Sequence, residues 1–137
     1  MDQAIKDMLK QGIGITDEDI GKLSPNMQHL LNNMPELMKH RLVAEVTESK
    51  YCFHGLKPGD KYVVEGGKLN VEASTAAPCL GALGPVDSFS TLLMALIGGG
   101  AKPTDGTDLG NTRCHDLGVE HGGLGEVYFK VYTEEIK

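Results

Sequence analysis

Val127-Tyr128-Phe129-Lys130-Val131-Tyr132, close to the C-terminus, is the stretch on which the fold turns. Valine and aromatic residues fill it, the composition of a strand packed on a core. Just before it, His121-Gly122-Gly123-Leu124-Gly125 predicts a turn or bulge that feeds the strand. Because a strand and not a helix follows these glycines, they are not a dinucleotide-binding fingerprint. The alternative is that Gly122, Gly123 and Gly125 let a ligand approach the backbone closely.

Further back, Thr112-Arg113-Cys114 predicts a short strand, and residues 101–111 an exposed loop whose two acids, Asp105 and Asp108, lack the rest of a calcium loop. Cys79 to Ile97 is mainly helical. Val86, Phe89, Leu93 and Leu96 share one face, Gly98-Gly99-Gly100 stops the helix, and a break is expected at Gly84-Pro85. Leu69 to Pro78 is small and polar, a loop. Leu42-Val43-Ala44-Glu45-Val46-Thr47 and Tyr62-Val63-Val64 are two further strands, with the turn Lys57-Pro58-Gly59-Asp60 between them and Gly66-Gly67 ending the second.

Residues 1–40 have a different character. Ile5, Met8 and Leu9 recur at helical spacing and Gly12 can end that helix. Thr16 before Asp17, Glu18 and Asp19 is a helix start with acids in the first turn. Ser24-Pro25 is another, and Pro35 breaks or restarts the segment. The chain divides into a helical N-terminal arm, residues 1–40, and an α+β core, residues 41–137. In that core a small antiparallel or mixed sheet is packed by one main helix. An amphipathic arm of this length needs an apolar surface, its own core or a neighbouring subunit, so a homo-oligomer or a subunit of a larger complex is expected.

Bulk properties narrow the function. At 137 residues the chain suits one domain. A net charge of -6 repels phosphate backbones and no basic stripe appears, which argues against nucleic acid. The longest apolar run, Leu92 to Ile97, is too short to span a bilayer, and the N-terminus has no signal-peptide pattern. A cytoplasmic protein away from the membrane is expected. Its three cysteines, Cys52, Cys79 and Cys114, then read as free thiols, metal ligands or redox centres and not as a disulfide framework.

Those cysteines carry the chemical interest. Cys52 and His54 enter a turn after a strand, and thiolate and imidazole together bind zinc or iron or form an activated nucleophile. Arg113-Cys114-His115-Asp116 is denser: Arg113 favours a thiolate, and Asp116 can orient His115 or support a metal ligand. Cys79 opens the main helix, where the dipole favours negative charge. Cys52, Cys79 and Cys114 with His54 or His115 would complete a tetrahedral metal site, although no spacing rule requires it. The bland alternative at each place is a small buried cysteine beside polar turn residues.

In order, these motifs are Cys52, Lys57-Pro58-Gly59-Asp60, Cys79 with Leu80 to Leu83, Gly98 to Gly100, Cys114-His115-Asp116-Leu117-Gly118, and Gly122-Gly123-Leu124-Gly125-Glu126-Val127. From Val43 to Thr133 they resemble a family of small uncharacterised bacterial and archaeal proteins. Phe53 and His115 stand where that family often has proline, and the arm lies outside the resemblance. The resemblance implies one shared site for the three cysteines and implies no activity. Three functions follow as expectations. The first is a metal-binding or redox-active accessory protein with zinc or iron on Cys52, His54, Cys79 and Cys114. The second is a small lyase, hydratase or isomerase using Cys114, His115 and Asp116, or Cys52 and His54, with the Gly122–Gly125 turn against the substrate. The third is a structural oligomerisation module.

Overall fold

The computed structural model describes all residues, 1–137. Five strands, β1 (His40–Lys50), β2 (Lys61–Glu65), β3 (Lys68–Leu69), β4 (Asp108–Arg113) and β5 (Glu126–Glu135), form one sheet in the order β3-β2-β1-β5-β4. Every pairing is antiparallel. β1 and β5 are the long central pair, running from His40↔Glu135 to Lys50↔Glu126. Gly66 and Gly67 turn β2 into β3 with φ of 58° and 80°, the two positive values that a two-residue hairpin turn demands.

The sheet has one packed face. Leu42, Ala44 and Val46 of β1, Tyr62 and Val64 of β2, and Val127, Phe129 and Val131 of β5 point to the same side and join one buried cluster. The opposite face carries ion pairs and polar contacts, among them Arg41 with Glu134 and Glu65, and Lys130 with Glu45. The Tyr132 hydroxyl donates to Glu45 at 2.9 Å on that side. The division is incomplete, because Val43 and Val63, paired on this same side, are buried at 0% and 2% exposure.

The cover is α5 (Leu80–Gly98), which buries Ala82, Val86, Ser90, Leu93 and Ile97. Its outer side is mixed, with Asp87, Ser88 and Thr91 exposed beside Leu92 and Leu96. By length and mean hydropathy, 1.5, it could cross a membrane, yet its inner residues pack on the sheet as in a core helix.

Four short helices precede β1: α1 (Gln3–Ile13), α2 (Asp17–Ile20), α3 (Pro25–Asn32) and α4 (Met34–Leu37). The Thr16 and Ser24 hydroxyls cap α2 and α3 as the sequence predicts, and the chain restarts at Met34-Pro35. α3 and α4 contact α5, and α4 also contacts β1, where the His40 ring meets the Glu36 carboxylate at 3.1 Å. The inner half of the arm therefore packs on its own core.

Three local expectations change. α5 runs unbroken through Gly84-Pro85. The loop expected over 101–111 is shorter, because β4 begins at Asp108 and pairs with β5 as an edge strand of polar and small residues. The expected loop at Leu69 to Pro78 gives up its first residue to β3, which lies at the other edge.

Candidate functional site

Each cysteine sits where a regular element ends, and backbone geometry sets its place. β1 stops at Lys50, and Tyr51 takes φ 55°, the one positive value outside glycine. That conformation costs a bulky residue about 1–2 kcal/mol. It swings Cys52 out of line with the strand, into a turn closed by Gly55 N–H donating to the Cys52 carbonyl at 3.1 Å. Cys79 is the N-cap of α5, and its carbonyl accepts from Ala82 and Leu83, while its side chain makes no capping bond. The amides of Leu80 and Gly81 bond to nothing within the chain, as first-turn donors commonly do.

Cys114 follows β4 and keeps its register, its N–H donating to the Val127 carbonyl at 3.0 Å. The next amide, His115 N–H, donates to the Gly81 carbonyl of α5 at 2.9 Å. Pro85 makes that carbonyl available. It stands four residues after Gly81 and has no N–H to return to it. Gly84 has no Cβ to clash with the Pro85 ring, which lets the helix continue. A proline that would ordinarily break the helix thus becomes the point where the Cys114 turn docks on α5.

Asp116 ties the glycine-rich turn to the same place. Its carboxylate accepts from the amides of Gly125 at 2.7 Å, Leu124 at 2.8 Å and Gly118 at 3.1 Å. Those bonds, the Gly125 amide first, hold its pKa below the ordinary value. A Cβ on Gly123 would collide with the Asp116 carboxylate and with the amides of Leu117 and Gly118, and one on Gly125 would reach Tyr51 O at 3.1 Å. Close packing of the turn on itself therefore requires glycine at 123, and Gly125 lies tight against the Cys52 segment. Arg113 braces the arrangement, donating to the Asp116 carbonyl at 2.7 Å.

The three segments enclose a cavity of about 200 Å³. Cys52, Cys79 and Cys114 all line it, each a free, partly buried thiol. Leu56 and Val127 form its apolar floor and Phe53, His54, Gly81, Asp116 and Gly125 complete the wall. Phe53 is 86% exposed, and the His54 ring meets it edge-on at 5.8 Å. Fully buried Tyr62 stands beside this group, its hydroxyl donating to the Ala77 carbonyl at 2.9 Å. Burial pushes its pKa up to about 12, and proximity to Cys79 and Cys52 adds to the shift.

Of the residues singled out from the sequence, the cavity brings together Cys52, His54, Cys79, Cys114, Asp116 and Gly125. His115 lies outside it, exposed, with its ring against Gly84 of α5. Gly122 and Gly123 belong to the turn behind the wall. No three His, Cys, Asp or Glu side chains are drawn into a group that could hold a metal as they stand; the thiols line the space between them. Phe53, Leu56, Tyr62, Gly81 and Val127 were not anticipated. Their apolar character marks them as core, and only the proline four residues after Gly81 is a local sign of a free carbonyl. Compared with known proteins, no family model matches the chain, and neither a curated protein nor a solved structure matches it.

Proposed function

We propose that this protein works through a three-thiol centre, Cys52, Cys79 and Cys114, as a small metal-binding or redox-active accessory protein. One observation carries the reading: cysteines from three distant segments line a single small cavity. Packing alone does not ask for this, since a valine or alanine would fill each place without a reactive group. The lining of soft sulfur and hydrocarbon suits a thiophilic ion or thiol–disulfide chemistry better than a polar organic substrate. Zinc or iron with His54 as fourth ligand belongs to this reading, and requires the Cys52–Gly55 turn to close on the other two sulfurs.

A lyase, hydratase or isomerase built on Cys114, His115 and Asp116 draws less support. The Asp116 oxygens are already engaged by three amides and the His115 ring points at α5. Leu92 and Leu96, exposed on the outer side of α5, support a place in a homo-oligomer or a larger complex. A cytoplasmic setting, away from nucleic acid and membrane, belongs to the same reading.

The test is elemental analysis of tag-free protein purified without oxygen, with a thiol count on the folded chain. A bound metal that masks the thiols, or thiols whose reactivities change together when one is replaced by serine, supports the centre. No metal, with three thiols reacting independently at the rates of free cysteine, refutes it.

A further inference from the structure

Apolar side chains crowd the mouth of the thiol cavity. Six of the chain's fourteen exposed large apolar residues belong to the three segments that build it: Tyr51, Phe53, Leu80, Leu117, Val119 and Leu124. Phe53 and Leu80 are the most exposed of all, at 86% each. Phe53 lines the cavity, and Tyr51, Leu80, Leu117 and Leu124 each adjoin a lining residue in the chain. The fold does not need them there, because none of the six belongs to the buried cluster or packs against it. Counting about 150–250 Å² for a whole aromatic side chain and less for leucine and valine, they present roughly 600 Å². That is the top of the ~300–600 Å² of the largest patch on an ordinary monomer, and most of the ~800 Å² that each partner contributes to a standard interface.

The charges of the rim are divided between two lips. The β1–β2 and β4–β5 connections lie at one end of the sheet, on opposite sides of the central strand pair. The first lip carries Lys50 and Lys57, with no acid before Asp60. The second carries Glu120 and Glu126, while Asp116 is turned inward to its three amides. Lys50, Lys57, Glu120 and Glu126 form no ion pair within the chain.

We infer that this end of the molecule is a dimerisation surface, on which a second copy of the chain docks about a two-fold axis running between the lips. A two-fold interface brings a patch against itself, so the patch must be complementary to its own rotated image. An axis between the lips lays the Lys57 lip of each copy on the Glu120 lip of the other, twice over. The perpendicular axis in the same plane lays like charge on like, and is excluded. In the permitted arrangement each copy roofs the other's cavity, so that Phe53 and Leu80 lose their exposure and the thiols are closed off from bulk water. The inference takes up the homo-oligomeric place proposed above and names its surface; it holds whether or not the thiols are reactive.

The experiment is sedimentation analysis of the full-length, reduced chain over a range of concentrations, with the rate of thiol alkylation followed in the same samples. The expected result is a monomer–dimer equilibrium that Phe53→Asp and Leu80→Asp abolish and Leu92→Asp does not. Lys57→Glu and Glu120→Lys should each weaken the dimer about tenfold, because either reversal sets like charges together twice. Mixed in equal amounts, these two variants should recover the parent affinity, since the heterodimer restores both contacts, and alkylation should slow again. Both reversals lie on exposed loop residues, so the recovery is readable even if an aspartate variant folds poorly. Recovery that fails in the mixture overturns the axis and the inference with it. A dimer lost in Leu92→Asp and kept in Phe53→Asp overturns this surface and leaves the homo-oligomer standing on α5. A chain that is monomeric throughout overturns the inference and the homo-oligomer together, while the thiol centre stands or falls on its own metal and thiol analysis. A monomer that binds vesicles of anionic phospholipid through Phe53 and Leu80 overturns it in favour of a lipid surface.

Discussion

Replacing Pro85 by alanine should stabilise the fold and loosen the site at the same time. Proline in a helix interior is about 3 kcal/mol less favourable than alanine, because it lacks an N–H and its ring crowds the carbonyl four residues back. Here that carbonyl belongs to Gly81, and it already accepts from His115 at 2.9 Å. An alanine amide at 85 would compete for it, displacing or sharing a bond worth about 1 kcal/mol net. The unfolded chain would also gain freedom, taking back about 0.4–1 kcal/mol. The balance is a gain of about 1 kcal/mol, or roughly 4 °C in melting temperature for a chain of this size. In Pro85→Ala the His115 amide should exchange severalfold faster with deuterium, and Cys114, the residue before it, should react faster with a thiol reagent. A thermal melt, residue-resolved hydrogen exchange and a stopped-flow thiol assay measure the three effects. If the variant melts higher while His115 exchange and Cys114 reactivity stay unchanged, the docking of this turn does not depend on the proline and the argument fails.

Asp116→Asn presents an amide group to donors that now meet a carboxylate, so the Gly118–Gly125 turn should loosen and Cys114 alkylate faster at neutral pH. Because the folded Asp116 pKa lies below its ordinary value of 3.8, its contribution is fully present above that value. It is lost as pH falls through the lowered one, so acid unfolding curves of parent and variant should converge at the acid end. On the alkaline side Tyr62 and Tyr132 are both raised to about 12 from 10, so the unfolded chain ionises first. Stability should hold up to about pH 10 and decline toward 12; Tyr62→Phe should flatten that decline while costing about 1 kcal/mol at neutral pH through the unpaired Ala77 carbonyl. Leu93→Ala, in the middle of α5 and 4% exposed, should cost about 2–5 kcal/mol in denaturant unfolding and leave thiol reactivity of the folded protein unaltered.

Much of the architecture was legible because it rests on local chemistry. Valine and aromatic runs marked β1, β2 and β5, hydroxyl caps marked α2 and α3, and paired glycines marked the end of β2, though not the hairpin to β3. What escaped was set by partners distant in sequence. β4, Asp108–Arg113, has little strand propensity and is held by its register on β5. The helix passes through Pro85 because Gly84 lacks a Cβ and because the freed Gly81 carbonyl finds a donor in His115. The three cysteines were visible as residues, yet their approach to one cavity follows from the sheet order, which sets the end of β1 beside the start of β5 and the end of β4.

The same topology argues that the cavity is more than a packing defect. None of the three thiols holds its own segment in place. Cys79 makes no side-chain cap, Cys52 closes its turn through its carbonyl, and Cys114 is anchored by its N–H on Val127. Even the nearest polar contact of a thiol, Cys114 Sγ to the Asp116 carbonyl at 4.0 Å, is too long to count for much. The supporting apparatus consists instead of backbone bonds, the Asp116 cradle, the Arg113 brace and the left-handed turn at Tyr51, and all of it stands without the sulfurs. If the cysteines were inert filling, alanine at all three positions would leave a chain that folds with a slightly larger cavity and loses nothing else. Retaining three oxidisable groups around an open space, in a scaffold that does not need them, is reasonable only if the sulfurs meet something in that space. The triple alanine variant should therefore fold, with a native melt and a native pattern of amide protection outside the cavity, and fail to bind any thiophilic ion. A triple variant that fails to fold would instead show that the thiols hold the structure up.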